Sequence, residues 1–241
     1  MPRPLALIAA LAALLPACAT ASDGTRAAER ERMVRAVSNL VATSGAREGT
    51  ELSPSVLNAL RRVPRHLFVP EEIRADAYRD QPLPIGHGAT ISAPSIVALM
   101  TELLELREGH RVLEVGTGSG YQAAVLAELG AEVFSIEIVE PLAASASARL
   151  ADLGYESVTV RAGDGYAGWP EEAPFDRIIV TAAAPHLPQP LVDQLRPGGR
   201  MVIPVARGDG EQLMLIEKDR SGRVRSREIL PVRFVPLVRG Q

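Results

Sequence analysis

RVLEVGTGSGYQAAVLAELG, residues 111–130, decides the fold. Arg111–Val115 has the apolar run of a buried strand. Gly116, Gly118 and Gly120 follow at alternate positions, and the segment leaves through an Ala/Leu-rich helix. A strand, a Gly-rich turn and a helix N-terminus together make a nucleotide-type site in a doubly wound sheet, because glycines let backbone approach a ligand with no side chain between.

Outward from that unit, strand and helix alternate. Glu132–Ile138 and Val158–Ala162 are predicted strands, separated by a helix over Pro141–Leu153 that Gly154 ends. Phe175–Ala182 is a fourth strand, Leu187–Leu195 a short helix stopped by Pro197-Gly198-Gly199, and Arg200–Val205 a fifth strand. Glu211–Lys218 and Glu228–Leu237 read as a closing pair joined through Ser221-Gly222. Upstream, Met33, Val37, Leu40 and Val41 fall at helical spacing. Ser53-Pro54 opens a second helix as N-cap and N1, and Pro94–Leu106 reads as a third. Between them Asp80–Pro94, with three prolines and two glycines around Thr90-Ile91-Ser92, reads as a long functional loop. The expected fold is α/β: a doubly wound, mostly parallel, Rossmann-like seven-stranded sheet with helices on both faces, in a single domain over residues 33–241.

The glycines do not follow a dinucleotide fingerprint, since Tyr121 stands where its third glycine falls. No lysine follows them as a phosphate-binding loop requires. The pattern is E-x-G-x-G-x-G, with Glu114 ahead of Gly116. Glu137 closes the next strand, where an acid binds two ribose hydroxyls, and Asp164-Gly165 follows the third, where an acid accepts from an adenine amine. An acid ahead of the glycines favours a ligand with a cationic, amino-acid-like end. S-adenosyl-L-methionine has that end, a ribose and an adenine. Taken singly, Glu137 also reads as a solvated strand terminus and Asp164 as a turn former.

The chain has 241 residues and a net charge of −3. No basic run interleaved with aromatics occurs, so no nucleic-acid partner is expected. Residues 1–21 read as an export signal: Arg3, an apolar Leu5–Leu15, then small residues. Ala19-Thr20-Ala21 suits ordinary cleavage, whereas Leu15-Pro16-Ala17-Cys18 resembles a lipobox. Cys18, the single cysteine, would then carry the one membrane anchor of a periplasmic or envelope-associated protein. Residues 22–32 read as a polar tether. A translation start at Met33 would instead leave a cytoplasmic protein. No metal-ligand spacing exists among four scattered histidines and one cysteine.

VLEVGTGSGYQAAVLAELG, GDG, FDRIIVTAAAP and RPGGRMVIPV together resemble class I S-adenosylmethionine-dependent methyltransferases. VPRHLFVP, LPIGHGATISAP and RFVPL narrow the resemblance to the protein-L-isoaspartate O-methyltransferase family, from about Met33 to Leu237. The resemblance implies methyl transfer from S-adenosyl-L-methionine, giving S-adenosyl-L-homocysteine. The acceptor is the free α-carboxylate of L-isoaspartyl residues in damaged proteins and peptides; apart from the resemblance, the chain is expected to be a monomer. It places Gly116, Gly118, Gly120, Glu137, Asp164 and Gly165 at the cofactor. Ser92 matches the active-site serine, with Thr90 and Ile91 beside it. Thr181 and Ala182 lie between cofactor and substrate, and Arg233, Phe234 and Val235 line the peptide cleft.

An isoaspartyl carboxylate is ionised at neutral pH and needs orientation more than a base, so Ser92 reads as an orienting donor rather than a nucleophile. His87 and His186 read as surface histidines or carboxylate donors. Tyr166 and Trp169 read as adenine neighbours or as core. The competing function is an exported scaffold that keeps this fold without the activity.

Overall fold

Two helices, α1 (Cys18–Thr43) and α2 (Pro54–Arg62), open the part of the chain that the computed structural model describes, residues 18–44 and 51–240. The expected export signal lies outside the described residues apart from 18–21, which belong to α1. The tether expected over 22–32 is helical instead. Arg26 pairs with Glu29 (2.9 Å) and donates to the Arg74 carbonyl (3.1 Å), while Glu31 accepts from Arg61 of α2 (2.9 Å). Polar composition hid a helix whose charges are used in contacts to the rest of the protein. Met33, Val34, Val37 and Val41 are buried, and Leu40, at the rim of that stripe, is 46% exposed. Ser53 caps α2 as expected, and its hydroxyl also bonds Glu102 (2.8 Å).

The chain then makes two 3-10 turns, Arg65–Phe68 and Glu71–Asp76. The long loop expected next is a hairpin, β1 (Leu83–Gly86) against β2 (Ala89–Ile91), with Leu83 opposite Ile91 and Pro84 opposite Thr90. Its two-residue tip, His87-Gly88, has positive φ at both positions (52° and 74°), the requirement of the tight hairpin turn that matches strand twist. Helix α3 (Pro94–Leu103) follows.

The main sheet is formed by β3 (Arg111–Val115), β4 (Glu132–Glu137), β5 (Val158–Ala162), β6 (Phe175–Val180), β7 (Leu195–Arg207), β8 (Gly210–Lys218) and β9 (Val224–Val232). Helices α4 (Tyr121–Glu128), α5 (Glu140–Asp152) and α6 (Gln189–Gln194) connect the parallel strands. The order is β5-β4-β3-β6-β7-β8-β9, parallel as far as β7 and antiparallel beyond it. Val112, Val133, Ile179, Val202 and Leu213 face a core shared with α1 to α5. Leu113, Phe134, Ile136, Ile178 and Met201 face a second core with α6 and Trp169.

Two strand ends differ from expectation. Strand β7 starts at Leu195 and runs through Pro197-Gly198-Gly199 as a bulge, its register against β6 shifting between Phe175 and Arg177. Strand β9 ends at Val232, five residues earlier than predicted. Residues 233–237 leave the sheet and run beside Ala183, whose N–H donates to the Val235 carbonyl and whose carbonyl accepts from Leu237 N–H, both at 2.8 Å.

Candidate active site

Strands β3 and β6 are neighbours, yet the chain leaves them in opposite directions, through α4 toward β4 and through α6 toward β7. That divergence opens a crevice at their carboxyl ends, the usual ligand position in such sheets. Gly116 directly follows β3 there and Thr181 directly follows β6. The Thr181 hydroxyl contacts the Gly116 carbonyl at 2.6 Å, and a Cβ on Gly116, at φ 96°, would stand 2.4 Å from that hydroxyl. The two loops are therefore locked together through a contact that only glycine permits.

A cavity of about 260 Å³ occupies the crevice. Gly116, Gly118 and Gly165 form its floor, Ile136, Glu137 and Val139 one wall, and His87 to Thr90 of the hairpin another. Val235 to Val238 of the C-terminal segment complete it. Glu137 is the acid of this cavity. One carboxylate oxygen accepts from Gly118 N–H (2.8 Å) and the other from Val139 N–H (3.0 Å). This arrangement ties the glycine loop to the start of α5 and leaves acceptor capacity on both oxygens for a vicinal diol.

Three residues expected at the cofactor, Glu114, Gly120 and Asp164, do not line the cavity. Glu114 is fully buried beneath the loop and is not part of this cavity's lining; Ser135 donates to its Oε2, and Thr117 bonds Ser135 (2.6 Å). Its Oε1 is buried without a partner among the described residues. Strand alternation explains this, because Glu114 points to the helix-covered face while Val115 turns to the cavity. Gly120 caps α4 at φ 87°, and a Cβ there would meet Leu150 of α5 at 3.1 Å, so it serves helix packing. Asp164 is not among the residues that line the cavity; one of its oxygens accepts from Tyr166 N–H (2.9 Å) and the other from Gly240 N–H (3.1 Å). With Arg239 stacked on Tyr166 (4.6 Å), that bond closes the C-terminal segment over the cavity. Trp169 is core, edge-on to Phe134, with Arg161 over its face.

Burial pushes the Glu114 carboxyl up to about 8; the charge of Glu137 adds to the rise and the Ser135 hydrogen bond opposes it. In the folded protein the group keeps its proton across a range in which the unfolded chain, near 4.5, has lost it. Its contribution to stability is thus fully present below about pH 4.5 and is lost as the pH rises through about 8. Glu114→Gln keeps the neutral, hydrogen-bonding form. Its urea midpoint, compared with wild type, is expected to gain between pH 5 and pH 8; parallel profiles would show Glu114 ionised in the fold.

A second cleft, about 380 Å³, opens on the other side of the hairpin. Thr90, Ser92, Thr181, Arg233, Phe234 and Val235 line it, together with Pro82 and Ile96, which the sequence did not mark. Ile91 is 4% exposed and points inward, and Ala182 borders the first cavity rather than this cleft. Thr90, Thr181 and Val235 line both spaces, so the two adjoin at these three residues. The hydroxyls of Thr90 and Ser92 and the exposed Arg233 guanidinium have no hydrogen-bond or ion-pair partner among the described residues, which leaves these cleft-lining donors free to pair with an anion. No motif marks Val139 or Val238 in sequence; only strand order and chain path bring them here.

A family model described as protein-L-isoaspartate(D-aspartate) O-methyltransferase matches residues 36–241. A protein-L-isoaspartate O-methyltransferase 1 of Cupriavidus necator is 53% identical, with 98% of this chain and 93% of the relative covered. One of Archaeoglobus fulgidus is 57% identical over 79% of this chain and 88% of its own. Among solved structures, a protein-L-isoaspartate O-methyltransferase superposes with a TM-score of 0.74 at 29% identity, covering 86% of this chain and 65% of that longer one. A Plasmodium falciparum structure of the same description, in complex with S-adenosyl-L-homocysteine, gives a TM-score of 0.73 at 27% identity, covering 89% and 99%.

Proposed function

The chain belongs to the protein-L-isoaspartate(D-aspartate) O-methyltransferase family, and from that premise we propose how its site carries the reaction. The protein transfers the methyl group of S-adenosyl-L-methionine to the free α-carboxylate of L-isoaspartyl residues, a repair reaction. The observation that carries the site assignment is that Thr90, Thr181 and Val235 border both the cavity that holds Glu137 and the cleft with free donors, and the methyl group crosses by a passage there.

The first cavity fits the cofactor by its chemistry. Gly116, Gly118 and Gly165 leave backbone open to it, Glu137 holds the ribose hydroxyls, and Ile136 and Val139 offer apolar surface to the adenine. When bound, S-adenosyl-L-methionine supplies a methyl group on a positively charged sulfur, open to in-line attack by a carboxylate. Ser92 and Thr90 donate to one carboxylate oxygen and leave the other free to react, while Arg233 holds the anion in the cleft. Phe234, Ile96 and Pro82 withdraw it from water, which would otherwise blunt its nucleophilicity. Thr181 keeps the passage open by anchoring Gly116. No base is required, because the acceptor is already ionised.

Labelled methyl transfer to an isoaspartyl peptide, with the normal aspartyl peptide as control, tests the reading. Wild type is expected to label the first alone, and Ser92→Ala to lower kcat/KM about 10- to 100-fold, the loss of one hydrogen bond to a charged group. Equal labelling of both peptides, or of neither, would remove the repair reading, and absent labelling together with no calorimetric binding of S-adenosyl-L-homocysteine would support the inactive scaffold.

We further propose that the N-terminal segment acts as an export signal, placing a monomeric enzyme in the periplasm or on the envelope, cleaved either before Cys18, which then bears the lipid, or after Ala21, which removes Cys18 with the signal. The contacts of Arg26 and Glu31 with Arg74 and Arg61 support a mature chain longer than one starting at Met33. Mass spectrometry of the native N-terminus separates cleavage before Cys18, cleavage after Ala21 and a start at Met33. Light scattering reads the oligomeric state.

A further inference from the structure

Among the described residues Arg65 is the largest side chain that the fold buries completely, at 0% exposure, and none of the roles assigned to the site uses it. Burying a guanidinium is costly unless it is paired, and an apolar residue of similar volume commonly serves stability as well or better. Among the described residues no carboxylate lies within ion-pair distance of Arg65. Its partners are neutral and specific. Nε donates to the Ala77 carbonyl and Nη2 to the Ser92 carbonyl, both at 2.8 Å. The guanidinium carbon stands 4.9 Å from the ring centre of Tyr121, the first residue of α4 after the glycine loop. Phe68, one 3-10 turn on from Arg65, packs edge-on against the same ring at 5.5 Å.

This geometry joins three segments that are far apart in sequence. A planar, rigid fork fixes the direction of the groups it bonds far more than an ammonium would. With its carbonyl held inward by Nη2, Ser92 presents its other face to the cleft that it lines. Tyr121, gripped by the same cation, begins the helix that follows Gly116 to Gly120. We propose that Arg65 is a positioning residue for methyl transfer: it sets the Ser92 backbone from behind, so that the serine hydroxyl meets the isoaspartyl carboxylate at a fixed angle relative to the glycine loop. This inference rests on the role given to Ser92 above.

A double-mutant cycle of Arg65→Lys and Ser92→Ala tests it, reading kcat/KM for the isoaspartyl peptide and S-adenosyl-L-homocysteine affinity by calorimetry. Arg65→Lys alone is expected to lower kcat/KM about 10- to 50-fold, within the span of one charge-assisted hydrogen bond, while cofactor affinity moves less than about threefold. With Ser92→Ala present, the same substitution is expected to cost less than about threefold, because what it positions is gone. A residue that serves stability alone would give additive losses, or a kcat/KM unchanged once the folded fraction is accounted for; either result overturns the proposal. If Ser92→Ala costs nothing, the Ser92 reading falls and Arg65's role with it; if Ser92→Ala is costly and the cycle additive, Arg65's role alone falls. Should Arg65→Lys fail to fold, Arg65→Gln, with no charge to bury, replaces it in the cycle. Should both fail, guanidinium nitrogen spectra of the wild-type protein decide. The slowly exchanging signals of the buried arginine must shift on adding the isoaspartyl peptide and stay put with the aspartyl one, and an unmoved spectrum overturns the proposal.

Discussion

Glu137→Gln is expected to lower affinity for S-adenosyl-L-homocysteine by about 10²- to 10⁴-fold, although it changes one atom in a side chain of the same shape. The reason lies in who donates to whom. Gly118 N–H and Val139 N–H each need an acceptor, and the carboxylate gives each its own oxygen. Glutamine has one oxygen and one NH₂, so whichever way it flips, an N–H donor faces one of those backbone amides. A buried donor left unpaired costs about 1–3 kcal/mol, and the loss of charge-assisted acceptance from the ribose hydroxyls costs about as much again. The glycine loop and the start of α5 lose their tie at the same moment. Calorimetry and the KM for the methyl donor measure the effect. A change below about fivefold would mean that the diol is not held at Glu137.

Gly116→Ala is expected to destabilise the fold by about 2–4 kcal/mol and to abolish measurable cofactor binding. Two costs add. The backbone sits at φ 96°, where an L side chain is strained, and the new methyl would lie 2.4 Å from the Thr181 hydroxyl oxygen. Relief requires β3 and β6 to move apart at the crevice, which also breaks the 2.6 Å contact between Thr181 and the Gly116 carbonyl. Thr181→Ala in the same chain should restore part of the stability, by removing the clash while the φ strain stays. Urea denaturation of the single and double variants reads this directly. An unchanged midpoint for Gly116→Ala would show that the two loops are not rigidly locked.

Much of this was legible in the residues alone. The run RVLEVGTGSG predicts a strand, a turn and a helix because burial, glycine spacing and Ala/Leu composition are all local, and β3, the loop and α4 follow it. The alternation of apolar runs with helical segments is enough for a doubly wound sheet. Glu137 was placed by its position at the end of a strand, which needs no knowledge of its neighbours. Polarity misled the reading twice, at the helical segment expected to be a tether and at the hairpin expected to be a loop. There, solvated faces and glycines carry no mark of the partner that orders them.

What only the tertiary structure decided is which distant segments meet. Glu114 and Asp164 are acids of the right kind near strand ends, yet one turns beneath the sheet to Ser135 and the other binds Gly240 N–H without lining the cavity. Strand β9 stops at Val232, so that Arg233 to Leu237 fall beside Ala183 and wall both spaces of the site. Arg65 reaches Ser92 across 27 positions of chain. Residue pattern reports local periodicity and turn chemistry, whereas these contacts depend on strand order and on the path of the chain between elements. For this protein the residues alone determined the cofactor loop and the family resemblance, and the packing of the sheet decided which groups stand at the reacting carboxylate.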